Sequence, residues 1–271
     1  MKVLFLSASS TAGHTGCDLV DEAFLHQFDK FGMEVVKTIY KTDLPLHHTH
    51  RKFYIREMDD LPDFDLVVVN AEGATHHSHW PSFIQVAEDY PSVLVNAVWQ
   101  QNSYKHDLSN FLYTSARETI SRALMLPTTQ VVPDIILAAP TLHKAWETKG
   151  YTATYNANHN TTCCVVRDDS FDPDIRIHES GFLESVASST RLSTGRFHGA
   201  LIAASLRVPF TAWPSNTHKT LGLMQDMGLE HNFYNTRQEA IAAVPTGSAV
   251  EYIEAAPRLI DGMFEDILSL T

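Results

Sequence analysis

The sequence predicts an α/β protein built from two Rossmann-like halves, and three stretches carry that expectation. The chain opens as strand, loop, helix and strand: Lys2–Ala8 and Glu34–Tyr40 read as strands, with a helix over about Cys17–Phe31 between them. Leu66–Asn70 (LVVVN) is almost wholly apolar, as strands are when a parallel sheet is covered on both faces. Arg191–Leu229 runs strand, turn, helix, strand, turn, helix. That order sets both turns on one edge of a parallel sheet, where open α/β folds bind their ligands.

The elements follow in order. Lys2–Ala8 begins the first half, and Ser9–Asp18 (SSTAGHTGCD) is a small, glycine-containing loop. Gly32 stands where a C′ glycine would close the first helix. Lys41–Asp65 is polar, carries His47, His48 and His50, and reads as irregular. After the strand Leu66–Asn70, Ala71–Trp80 forms a loop, and Pro81 at the first helical position starts a helix to about Tyr90. Ser92–Val98 is a strand, Trp99–His106 a polar loop leading to a short helix, and Phe111–Ala116 a strand. Arg117 precedes a helix over Glu118–Met125, and Thr129–Val132 is a strand ending at Pro133 and Asp134.

The second half reads as a strand at Thr162–Arg167, a helix over about Glu179–Ser189, and then the Arg191–Leu229 stretch. Within that stretch the strand Arg191–Thr194 meets Gly195, and a small-residue helix covers about Gly199–Arg207. A strand at Val208–Trp213 leads through Pro214, Ser215 and Asn216 to a helix opening with His218 and Lys219. Helices at about Arg237–Ala243 and Val250–Leu268 complete the chain. We expect a junction between about 139 and 160 and domains of 1–145 and 146–271, each long enough to bury a core.

Composition narrows the function. The 271 residues are 44% hydrophobic and 19% charged, with a formal charge of −12. No Lys/Arg cluster offsets that charge, so extended nucleic-acid binding is disfavoured, though a local basic cleft stays open. No apolar run is long enough to span a bilayer, and the opening MKVLFLSASS is too short and strand-like for a signal peptide. A cytoplasmic protein is expected. Cys17, Cys163 and Cys164 do not suggest a disulfide framework.

Four constellations could carry chemistry. Arg196 and His198 sit at a strand-to-helix turn, where a helix N-terminus favours anions, Arg grips carboxylate or phosphate, and His moves protons near neutral pH. A surface Arg and a capping His would be the bland alternative. Arg117 follows Ser115 and precedes Glu118 and Ser121; it reads as an anion ligand or a first-turn Arg on a solvated face. AGHTGCD (Ala12–Asp18) offers a backbone approach through Gly16 but is no full dinucleotide fingerprint. EGATHHSHW (Glu72–Trp80) holds His76, His77 and His79, but no Cys or carboxylate at ligand spacing, so a metal centre is not expected. Trp80 in that loop could stack on a sugar ring.

The Arg196–Phe197–His198 turn, the small-residue helix after it, the strand near Pro209, and Lys219 ahead of Gly228–Leu229 together resemble the signature region of the polysaccharide pyruvyl transferase family. Ser115–Arg117–Glu118 with Ser121, and the Pro133–Asp134 strand end, resemble that family's first-domain segments. The glycine loops match loosely: Cys17 separates Gly16 from Asp18, and only Gly73 stands where the family often has a glycine run.

The resemblance implies a GT-B-like fold with a cleft between two Rossmann-like domains, the last helix crossing back onto the first. It also implies pyruvyl transfer from phosphoenolpyruvate to two sugar hydroxyls as a ketal, with no cofactor. His198 and Arg196 would be catalytic. Arg117, Arg196, Lys219, Gly195 and Ser215 would bind the donor; His14, Gly73, His76, Trp80 and Asp134 would lie on the acceptor side. A GT-B glycosyltransferase with a nucleotide-sugar donor, acting on a glycan or a hydroxylated base in nucleic acid, is the alternative. A non-catalytic binding protein on the same scaffold is a third reading.

Overall fold

The computed structural model describes residues 1–9, 14–41, 61–75, 82–100, 108–146, 154–156 and 179–270. It is a mixed α/β structure in which every described strand ladder is parallel. The chain divides into two compact units: unit 1 holds Met1–Thr11, Phe24–Ile135 and Arg258–Thr271, and unit 2 holds Ala12–Ala23 and Ile136–Pro257.

Unit 1 is organised on a six-stranded sheet of order β2-β1-β3-β4-β5-β6. Its strands are β1 (Lys2–Ser7), β2 (Glu34–Tyr40), β3 (Leu66–Glu72), β4 (Ser92–Ala97), β5 (Tyr113–Ala116) and β6 (Gln130–Val131). β1, β3 and β4 form the middle because they are apolar along their length: Leu4, Leu6, Val67, Val69 and Leu94 share one core cluster with Phe83 and Ile84 of α2 (Ser82–Asp89). β3 runs two residues beyond the expected Asn70, to Glu72. Polar Asn70 and Glu72 stay in the strand because both are buried and hydrogen-bonded there. The helix expected over Glu118–Met125 is the shorter α3 (Thr119–Ala123). Glu118 is its N-cap, its carboxylate accepting from Ser121 N at 2.9 and 3.0 Å. The strand order reverses between β1 and β3, so the carboxyl ends of those strands form the sheet's switch point.

α1 (Thr15–Lys30) ends at Gly32 as expected. Gly32 has a φ of +64°, and its N–H reaches Asp29 O at 3.1 Å while Met33 N reaches Phe28 O at 2.8 Å. That pair of bonds is the left-handed termination glycine permits. Phe24 and Phe28 of α1 pack on Phe5, with ring centroids 5.0 and 5.2 Å away, and Phe264 lies 5.8 Å from Phe28 and stacks on Phe31.

Unit 2 carries a three-stranded sheet, β7 (Thr154–Asn156), β8 (Leu192–Thr194) and β9 (Phe210–Ala212), in that order. β7 lies where a junction was expected, while the strand expected at Thr162–Arg167 is outside the described residues, as are Cys163 and Cys164. The helices α4 (Glu179–Ala187), α5 (Phe197–Ser205), α6 (Lys219–Asp226), α7 (Arg237–Ala242) and α8 (Val250–Leu268) follow the expected order. α5 begins at Phe197 rather than Gly199, because Ala200 N donates to Arg196 O at 3.1 Å and makes Arg196 the N-cap. Among the described residues, no helix is long and apolar enough to cross a membrane.

Candidate functional site

The turn between β8 and α5 is held by Thr194, whose Oγ1 accepts from Arg196 N at 3.0 Å across the buried Gly195. Arg196 is in extended backbone, φ −106° and ψ 132°, and its side chain does not cap α5. His198 lies in the first turn of α5 and is 7% exposed, and Arg196 is half-buried. This is the strand-turn-helix geometry the sequence predicts. It sets a cation, an imidazole and a helix N-terminus within three consecutive residues.

The same unit brings the start of α1 to that turn. His14 precedes α1, and its carbonyl accepts from Cys17 N at 2.8 Å and Asp18 N at 3.0 Å. Its Nδ1 also faces Cys17 N at 3.4 Å. Gly16, one residue into α1, lies against His198: a Cβ at Gly16 would fall 2.7 Å from His198 Cβ and Cγ, closer than carbon atoms approach. The His14 and His198 ring centroids are 6.3 Å apart, edge to face. The N-terminal ends of α1 and α5 therefore meet through His198, and only glycine fits at position 16. Burial pushes the Asp18 carboxyl, in the first turn of α1, above its usual range.

The other expected site residues are placed as follows. Lys219 is the first residue of α6, half-buried, with its backbone N–H 3.3 Å from Thr217 Oγ1. Ser215 Oγ donates to Asn216 Oδ1 at 3.4 Å. Both belong to unit 2 with Arg196. Arg117 and Asp134 are in unit 1, 2% and 0% exposed as side chains, and joined by an Nη1–Oδ2 ion pair of 2.7 Å. Arg117 is thus on no solvated face, and a carboxylate balances its charge. Gly73 is half-buried in the turn after β3. His76, His77, His79 and Trp80 lie outside the described residues. Among the described residues, no group of three or more His, Cys, Asp or Glu side chains gathers as a metal site would.

One feature of unit 1 is not in the sequence reading. At the carboxyl ends of β1, β3 and β4, Ser7, Ser9, Asn70, Glu72 and Asn96 form a buried hydrogen-bonded cluster. Its only sequence mark is the repeated Val–Asn–Ala at the ends of two apolar strands, Val69–Ala71 and Val95–Ala97.

Neither a family model nor a curated protein matches this chain. Among solved structures, an uncharacterized protein from Klebsiella pneumoniae subsp. pneumoniae NTUH-K2044 is similar over 86% of this chain and 92% of its own, with 12% identity and a TM-score of 0.57. The calicheamicin glycosyltransferase CalG4 is similar over 99% of this chain and 94% of its own, with 13% identity and a TM-score of 0.41. The first is a likeness of fold alone; the second falls below the level of a shared fold.

Proposed function

We propose that the chain is a transferase whose donor is a small phosphate- and carboxylate-bearing molecule, held in unit 2 at the meeting of α1 and α5. The close seat of Gly16 on His198 carries this reading. It joins two helix N-termini, each with a positive dipole end, at one imidazole directly preceded in the chain by Gly195–Arg196–Phe197. Arg196 would hold the anion through its planar fork. His198 would move a proton, and Lys219 and Ser215 would add donor contacts.

The resemblance of the Arg–Phe–His turn to the pyruvyl transferase signature makes phosphoenolpyruvate the donor we favour. In that reaction the enol methylene carbon gains a proton, and two acceptor hydroxyl oxygens bond to the central carbon, each losing its proton. Phosphate leaves with the bridging oxygen and the second hydroxyl proton, and positive charge at the helix ends would stabilise it. His14, in the same unit, stays in the proposal on the acceptor side. Arg117 and Asp134 are given a structural role instead, because their charges cancel within a buried pair.

Phosphate release from phosphoenolpyruvate, measured on purified protein with a panel of sugar acceptors, tests this reading. Arg196→Ala and His198→Ala should each reduce turnover by about 10²-fold or more. Wild-type turnover in either variant overturns the assignment. A melting-temperature rise with nucleotide sugars and none with phosphoenolpyruvate would transfer the site to a glycosyl donor. Stabilisation without turnover by any donor would mark a binding protein.

A further inference from the structure

The cluster at the carboxyl edge of unit 1 has three properties that a purely structural network does not need. First, it sits at the switch point of the sheet, where Ser7 ends β1, Ser9 follows it, and Asn70 and Glu72 lie at the end of β3. Second, two of its members hold left-handed backbone without being glycine: Glu72 at φ +37° and Asn96 at φ +56°, on neighbouring strands. Such conformations are costly and persist where surrounding bonds fix them. Here they are fixed: Val98 N donates to Glu72 O at 2.9 Å, Thr75 Oγ1 to Val98 O at 2.9 Å, and Ala74 N to Ala71 O at 2.7 Å. Third, Asn96 is 4% exposed, and its Oδ1 is buried with no hydrogen-bond partner. An unsatisfied buried acceptor is expensive and calls for an explanation.

The direction of donation says what is missing. Asn96 Nδ2 donates to Asn70 Oδ1 at 3.2 Å. Asn70 Nδ2 donates to Ser7 Oγ at 3.1 Å, Ser9 Oγ at 3.3 Å and Glu72 Oε1 at 3.4 Å. Ser9 Oγ donates to Glu72 Oε1 at 2.6 Å. The donations run from Asn96 through Asn70 to Ser7, Ser9 and the Glu72 carboxylate, and the end left open, Asn96 Oδ1, is an acceptor. The missing partner must therefore be a donor. A cation is the poorer fit, because Glu72 is the one carboxylate among these five residues and the other four are neutral amides and hydroxyls.

We infer that the cluster of Ser9, Asn70, Glu72 and Asn96 at the switch point of unit 1 is a binding site for a neutral polyhydroxylated ligand, whose O–H groups donate to Asn96 Oδ1 and the Glu72 carboxylate. The inference stands independently of the anionic-donor reading of unit 2. A single trapped water would also satisfy Asn96, and it predicts no polyol binding by the wild type.

Saturation-transfer NMR on the full chain, with methyl α-D-glucopyranoside and myo-inositol as probes, tests it. Both probes should show transfer in the wild type, reduced at least five-fold in Asn96→Ala and Glu72→Gln. Glu72→Gln keeps an acceptor for Ser9 and Asn70, so its melting temperature should stay within a few degrees of wild type. Asn96→Ser is the second variant should Asn96→Ala unfold: it removes Oδ1 with a smaller loss of volume and should likewise reduce the polyol signal. Arg196→Ala should leave the signal unchanged, and inorganic phosphate should not displace it. No polyol signal in the wild type, an equal signal in the Glu72 and Asn96→Ala variants, displacement by phosphate, or transfer to methylammonium in place of the polyols would each overturn the inference.

Discussion

Gly16 is the residue on which the unit 2 site turns. A methyl group there would meet the rigid root of His198, not a side-chain tip that could swing away. Gly16→Ala should therefore destabilise by about 1–3 kcal/mol through overpacking, despite the roughly 0.5–1 kcal/mol alanine ordinarily gains over glycine inside a helix. Thermal unfolding checks this, and the same variant should lose donor binding. Asp18 makes a pH prediction. Burial raises its folded pKa above the ordinary 3.8, so the folded state binds the proton more tightly than the unfolded chain does. The stability tied to that proton is present below pH 3.8 and is lost as pH rises through the elevated folded pKa. Asp18→Asn should thus melt higher than wild type at pH 7, and the gap should close by pH 3.5 or so. An unchanged gap across that range would refute the burial argument. The sequence points to Arg196 and His198 by their place between strand and helix. It does not point to Gly16 as the partner of His198, because that contact joins residues remote along the chain and leaves no periodicity. Nor does it reveal Arg117 as buried: a Ser–x–Arg–acid pattern reads equally well as a solvated first turn until Asp134 is seen beside it.

At the level of elements, the sheet of unit 1 is legible wherever the strand is apolar throughout, as in β1, β3 and β4, and blurs at the strand ends. β3 looked shorter in sequence than it is because Asn70 and Glu72 resemble loop residues. Their polarity is satisfied by neighbours on β1 and β4, which no local pattern encodes. β7 was missed for a related reason: three residues are too few to show alternation, and the pairing with β8 alone defines them. α8 was placed correctly despite Pro257 in its interior. Proline there offers no N–H to the carbonyl of Ile253 and crowds it. Pro257 is exposed, so Pro257→Ala removes no buried packing. We expect it to stabilise by on the order of 2 kcal/mol, the helix gain less the flexibility returned to the unfolded chain. Urea denaturation measures it; a destabilised variant would mean that proline is itself required at this position.

For the molecule as a whole, the two units exchange chain. Unit 2 takes residues 12–23 from the start, and unit 1 takes Arg258–Thr271 from the end. That last segment brings Ile260, Met263, Phe264 and Ile267, all buried. Losing even one large buried side chain costs about 3–5 kcal/mol, against a total stability of about 5–15 kcal/mol for a typical domain. A fragment of residues 1–145 should therefore lack native near-ultraviolet circular dichroism, and a peptide of residues 250–271 added in trans should restore it. Native dichroism from the fragment alone would show that the aromatic cluster around Phe264 is dispensable.

The placement of Phe264 also has a consequence for how the protein is made. The parts of unit 1 up to Ile135 leave the ribosome well before its final helical segment is translated. At roughly 5–20 residues per second, the wait for Phe264 lasts from several seconds to nearly half a minute. Throughout it Phe24, Phe28 and Phe31 lack the ring that packs on them in the finished fold. The nascent chain should then be most prone to aggregate, and most dependent on chaperones, late in synthesis rather than early.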